Sequence, residues 1–165
     1  MSLCTLKIID LHNVLFLRPM PHAPDDYHMC LYVHNDDGGG TRYQVKQEGS
    51  GWIADHARTA GIFNSFLLVG MFQITTIPSG HEGRVDQQLR YYDSSLNSLP
   101  NISCRIWPPG VLKLLHEEFN GERVLKCADL SAFETEVIAC GDTKAGTTLS
   151  SRQPRPVAVS GYIHG

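Results

Sequence analysis

Short apolar runs alternate along this chain with clusters of Gly, Pro, Asp, Asn and Ser that punctuate them. Leu6 to Leu17 is rich in Leu, Ile and Val and predicts a strand, interrupted near His12-Asn13. Pro19, Pro21 and Pro24 then force a loop through Asp25-Asp26, because proline fixes φ and removes a donor. His28 to His34 is nearly continuous in apolar residues and predicts the next strand. Asp36-Asp37-Gly38-Gly39-Gly40 is a turn, and Thr41 to Gln47 returns from it. Residues 28–47 therefore read as a β-hairpin. Gly49-Ser50-Gly51 ends the hairpin. Trp52 to Ala60 suggests a short helix. Phe66 to Ile77 suggests a strand closed by Pro78-Ser79-Gly80, and Gln88 to Tyr92 a further strand.

The second half has a different period. Between Gly110 and Asn120, Leu112, Leu115 and Phe119 repeat on one helical face while Lys113, Glu117 and Glu118 fall elsewhere. Gly121 stands where a helix C-cap belongs. Asp129 or Ser131 can cap another helix that runs through Val137-Ile138 and ends near Gly141. Asp142 to Pro156 has loop composition, and Val157 to Ile163 reads as a closing strand. Strands first and helices late predict an α+β fold: a mainly antiparallel sheet with two or three helices in one compact domain, residues 1–165.

Composition narrows the function classes. The net charge is −3, and no Lys/Arg cluster exceeds two, which leaves no electrostatic footprint for nucleic acid. The N-terminus lacks a basic region followed by an apolar one, so no signal peptide is read. The apolar stretch Ile62 to Ile77 is too short and too polar to span a bilayer. Five cysteines without a CxxC pair point to free thiols in a reducing cytosol.

Two residues far apart in sequence carry candidate chemistry. Cys104 precedes the predicted helix, with Arg105 beside it. A helix N-terminus and a guanidinium both favour the thiolate, the reactive form of the side chain. A free cysteine is also commonly a small buried hydrophobe. Pro108 and Pro109 place the helix start at Pro109 or Gly110 and leave Cys104 on the loop before it. His28 opens its strand beside Asp25-Asp26 and suits a general base, or a hydrogen-bonded strand-end histidine. His34 shares its face, but no third ligand has metal spacing, and His116-Glu117-Glu118 is not a metalloprotease pattern. Residues 141–148 have the glycine spacing of a phosphate loop without its lysine and read as a flexible loop. No cofactor or metal is implied.

A histidine on the first hairpin strand, a polar residue on the return strand and a cysteine before a helix resemble permuted papain-like thiol enzymes. The nearest groups are the lecithin:retinol acyltransferase-like and NlpC-like hydrolases. The resemblance implies His28 as base, Gln44 in the third polar position and Cys104 as nucleophile. That third position is often histidine in those groups. Tyr27-His28-Met29, Cys104-Arg105-Ile106-Trp107 and Gly161-Tyr162-Ile163 also resemble the conserved pieces of a small uncharacterised fungal family. Its early Asn-His-Trp stretch keeps only the histidine here.

Two functional expectations follow. The first is a cysteine-dependent hydrolase or acyltransferase acting on a small-molecule amide, ester or thioester. Cys104 attacks, His28 accepts the proton, and Gln44 orients the imidazole or donates to the oxyanion. Tyr43, Arg105 and Trp107 are the candidate substrate contacts. The second is a non-covalent small-molecule binding protein or cyclase with an aromatic-lined pocket, of the kind found in fungal biosynthetic pathways.

Overall fold

The computed structural model describes residues 10–17, 27–65, 67–149 and 157–162. The Pro19 to Asp26 loop, Cys4, Phe66 and Ile163 lie outside them. Among the described residues the strands are β1 (Asp10–Leu17), β2 (Tyr27–Asp36), β3 (Gly39–Tyr43), β4 (Val45–Glu48), β5 (Gly51–Ala54), β6 (Ala57–Thr59), β7 (Leu68–Thr76) and β8 (Val157–Val159). The α-helices are α1 (Glu82–Leu89), α2 (Trp107–His116) and α3 (Leu130–Leu149). This is an α+β fold. Six strands make one sheet in the order β6-β3-β2-β1-β7-β8, antiparallel except for the β7–β8 pair. Strands β4 and β5 form a separate hairpin.

Strand β2 lies inside the sheet, and both its faces are buried, hence its nearly unbroken apolar run. Tyr27, Met29, Leu31 and Val33 join the larger core, with Trp107, Val111 and Leu115 of α2 and Phe133 and Val137 of α3. Cys30 and Tyr32 face the other way, onto Val14, Leu68 and Met71. The predicted hairpin divides in two. Residues 41–43 pair with 31–33, then the chain leaves the sheet and residues 45–48 pair with β5. The turn into β3 needs glycine: Gly39 has φ +124°, and a Cβ there would stand 2.2 Å from the Thr59 carbonyl oxygen.

Four expectations change. Residues 52–60 hold two strands instead of a helix, because the turn at Gly49 (φ +59°) folds β5 back on β4. Gln88 to Tyr92 is not a strand. Val85 and Leu89, four apart, bury one face of α1, which continues into turns. Residues 141–148 are the last turns of α3, whose N-terminus Asp129 caps by accepting from the Ser131 and Ala132 N–H groups. Gly141 sits inside that helix because the sheet comes close. A Cβ there would lie 2.9 Å from both Leu15 Cδ1 and Tyr27 Cε2. Finally, α2 stops at His116 where Glu117 turns extended. Leu112 and Leu115 are buried as expected. Phe119 lies beyond the helix, exposed beneath the Arg84 guanidinium, and Gly121 belongs to that turn rather than to a helix cap.

No helix among the described residues is long and apolar enough to cross a membrane.

Candidate active site

A cleft of about 480 Å³ opens where β3 leaves the main sheet for the β4–β5 hairpin. His28, Gln44 and Cys104 all line it. His28 comes from the start of β2, and Gln44 is the single residue between β3 and β4. Cys104 comes from the turn that leads into α2.

Gln44 is held through both its backbone and its side chain. Its backbone continues the β4–β5 ladder: the Asp55 N–H donates to its carbonyl at 2.9 Å. Its own N–H donates to His56 Nδ1 at 3.1 Å. His56 Nε2 lies 3.0 Å from Asp93 Oδ1, and its ring packs at a tilt against both Tyr43 and Trp107. The side chain is equally constrained. Gln44 Nε2 donates to Asp55 Oδ2 at 2.6 Å, and its Oε1 lies 2.9 Å from His28 Nε2. A carboxylate only accepts, so the amide must present its nitrogen to Asp55 and its oxygen to His28. The His28 Nε2 therefore carries a proton and donates. In the neutral ring the lone pair then falls at Nδ1. Of the two roles open to Gln44, orienting the imidazole is the one its Oε1 contact to His28 serves directly.

The Asp55 carboxyl is held below the usual carboxylate range, first by the Gln44 amide, against some burial, and then by Lys46 and Arg42. Lys46 Nζ is 3.4 Å and Arg42 Nη2 3.7 Å from it. One carboxylate thus fixes Gln44 and serves two cations.

Cys104 is 1 % exposed. The segment before α2 is not a plain loop. Ser103 Oγ accepts from the N–H groups of Arg105 (3.3 Å) and Ile106 (3.1 Å), and its carbonyl accepts from Trp107 N–H at 3.0 Å. Ser103 thus ties the turn over 103–107 that leads into α2, and Cys104 lies in that turn, ahead of the helix and its N-cap Ile106, as the prolines predicted. Pro108 and Pro109 stand in the opening turn of α2, where proline is tolerated. They withhold i+4 donors from the Cys104 and Arg105 carbonyls, so the regular helix ladder starts after the cysteine, with Gly110 N–H donating to the Ile106 carbonyl. Burial pushes the other described thiols up: Cys30 to about 12, and Cys127 and Cys140 above their ordinary value.

The three expected substrate contacts lie elsewhere. Tyr43 is buried and donates its hydroxyl to Asp86 at 2.6 Å, beside α1. Trp107 is buried behind His56. Arg105 lies on the α2–α3 seam, where its Nε is 3.6 Å from Glu134. The cleft wall is instead Phe16, Val45, Trp52 and Leu67 on the apolar side, with Arg42, Lys46, Gln47 and Ser65 on the polar side. Sequence reading missed Asp55, yet a signal for it exists. Once Gly49-Ser50 is taken as a hairpin centre, residue 45 faces 54 and residue 44 must face 55.

His34 bonds through Nδ1 to the Tyr32 hydroxyl at 3.2 Å. Among the described residues, no group of three His, Cys, Asp or Glu side chains converges as a metal site. The chain matches no protein-family model, no curated protein and no solved structure, so functional argument rests on this geometry.

Proposed function

We propose that the protein is a cysteine-dependent hydrolase or acyltransferase acting on a small-molecule amide, ester or thioester. The observation that carries the reading is the Gln44–His28 pair, held in a fixed tautomer on the wall of the cleft that Cys104 also lines. Gln44 holds Nε2–H, so Nδ1 is the nitrogen that serves as base. The Cys104 thiol gives its proton to Nδ1, and the thiolate attacks the substrate carbonyl carbon. The carbonyl π electrons move to oxygen and form a tetrahedral oxyanion. As that collapses, the bond to the leaving nitrogen, oxygen or sulfur breaks, and the Nδ1 proton passes to the leaving atom. An acyl thioester remains on Cys104. Water, or a second nucleophile, then loses a proton to Nδ1, attacks the thioester and releases the thiol. The turn tied by Ser103 supports the reading by fixing Cys104 just ahead of the α2 N-terminus. A free thiol nucleophile of this kind suits a reducing compartment such as the cytosol.

The near-complete burial of Cys104 favours a second reading, a non-covalent ligand pocket in which the thiol only packs. Incubation with p-nitrophenyl acetate separates the two. The thiol reading expects release of p-nitrophenol with a transient acetyl group on the Cys104 peptide. Both should vanish in Cys104→Ala and slow by about 10²–10⁴ in His28→Ala. Turnover that survives Cys104→Ala refutes the thiol reading.

A further inference from the structure

We propose that this cleft selects substrates bearing a carboxylate close to the scissile carbonyl, such as dicarboxylic half-esters or N-acyl amino acids, with Arg42 as the principal anchor and Lys46 as its second cation. The proposal rests on the thiol reading of the site and names its substrate class.

The charge count around the cleft motivates it. Arg42 and Lys46 both line the wall, and among the described residues no Asp or Glu does. Asp55 stands behind the wall as the shared counter-ion. It accepts from the Gln44 amide at 2.6 Å and lies 3.4 Å from Lys46 and 3.7 Å from Arg42. One negative charge therefore balances two positive ones, and the wall keeps a surplus of one. The two cations are not equally engaged. The Lys46 contact is short enough for a hydrogen bond, whereas the Arg42 contact is an ion pair without one. Arg42 Nε is buried and has no hydrogen-bond partner. A carboxylate entering the cleft would offer the Arg42 guanidinium the hydrogen bond that its 3.7 Å contact to Asp55 lacks. Guanidinium geometry suits that partner, since its planar fork matches two carboxylate oxygens.

Position links this anchor to the chemistry. Arg42 and Gln44 are two residues apart and project to one face of the chain, the face on which Gln44 meets His28. A carboxylate on Arg42 and an acyl carbon at Cys104 then belong to one small molecule. Trp52, Phe16 and Leu67 supply the apolar wall for its remainder.

Two alkylating reagents of nearly equal size test the idea on the full chain. Iodoacetate is anionic and iodoacetamide neutral. Each forms an S–C bond at the thiolate and expels iodide. The readout is the ratio of their rates at the Cys104 peptide, divided by the same ratio for free cysteine. The expected value is at least about fivefold in favour of iodoacetate, roughly what one unit charge gives at contact distance even in bulk water. It should fall toward one at about 1 M salt, where the Debye length is about 3 Å. Arg42→Met should abolish the preference, and Arg42→Lys should retain part of it. Lys46→Met alters a half-exposed side chain, which guards against a folding artefact, and should lower the ratio partly. Loss of either cation also weakens the thiolate toward both reagents, so the ratio is read rather than either rate. A Cys104 that reacts readily with iodoacetamide at a ratio equal to that of free cysteine overturns the carboxylate proposal and leaves the thiol reading standing. A ratio unmoved by Arg42→Met overturns it as well. A Cys104 inert to both reagents overturns the proposal and the thiol reading together.

Discussion

Replacing Gln44 by Met keeps the side-chain volume and deletes both of its polar contacts. The structure sets the size of the effect. The bond to Asp55 involves an ionised partner, the stronger kind, and contributes about 1.5–3 kcal/mol. The bond to His28 is neutral and contributes about 0.5–1.5 kcal/mol. The backbone contacts to His56 and Asp55 survive, so the hairpin should stay folded. We expect a loss of about 2–4 kcal/mol in urea unfolding. The melting temperature should drop by roughly 2–4 °C per kcal/mol at this chain length. The loss should also depend on pH. Gln44 favours the ionised form of Asp55 and lowers its pKa in the folded state. That contribution is fully present above the unfolded carboxyl value of about 3.9 and disappears as pH falls through the lower folded value. The gap between wild type and Gln44→Met should therefore narrow in acid to the part that the His28 contact contributes. A variant within about 0.5 kcal/mol of wild type at pH 7 would place it among ordinary surface changes and refute the reading of Gln44 as the clamp of the site.

Two glycine substitutions should differ in sign. Gly110→Ala in α2 meets only a Tyr92 ring carbon at 3.9 Å and should stabilise by about 0.5–1 kcal/mol through helix propensity. Gly141→Ala must push against Leu15 and against Tyr27, whose hydroxyl is tied to Asp142 at 2.7 Å. Overpacking of about 1–3 kcal/mol should outweigh the propensity gain there, as thermal melts of the pair will show. His12, buried on β1 with no partner for Nδ1, has its pKa lowered by burial from 6.5 to about 4, against Asp10. Its neutral form is the folded one, so stability is present above pH 6.5 and is lost as pH falls toward 4. The cost is about 1.4 kcal/mol per pH unit, roughly 3 kcal/mol in all. NMR titration of the His12 ring, and acid unfolding against His12→Asn, check this.

What the chain made legible follows from how local each signal is. The apolar run of β2, the Gly-rich turn and the Leu112/Leu115 stripe are local patterns, and each produced its element. Residues 141–148 misled because Gly141, Gly146 and three threonines look like a loop. Their helix is held by packing on Leu15 and Tyr27, which is tertiary information. Gln88 to Tyr92 carries β-prone tyrosines, yet the four-residue spacing of Val85 and Leu89 belongs to α1. At the site, His28 and Cys104 are legible because a strand start and a pre-helix position are local, whereas Gln44 enters only through the resemblance to permuted papain-like enzymes. Tyr43, Arg105 and Trp107 were placed by proximity in sequence to those residues. Alternation sends Tyr43 to the face opposite Gln44, and the helical turn carries Arg105 and Trp107 toward α3 and the core. Asp55 and Trp52 join the site only through the β4–β5 pairing, and Arg42 through the β2–β3 register, where it faces Tyr32.

The pH dependence of Cys104 alkylation tests the central claim most directly. Iodoacetamide rates at each cysteine peptide should be followed from about pH 5 to pH 10, in wild type and in His28→Ala. A thiolate sustained by the His28 imidazole predicts Cys104 labelling well below the ordinary thiol value of about 8.5. Cys30, Cys127 and Cys140, with thiols pushed up by burial, should label more slowly than Cys104 near neutral pH. In His28→Ala the Cys104 profile should rise only near or above 8.5. A Cys104 that labels no faster than Cys140 at neutral pH, or a profile unchanged by His28→Ala, would contradict the account.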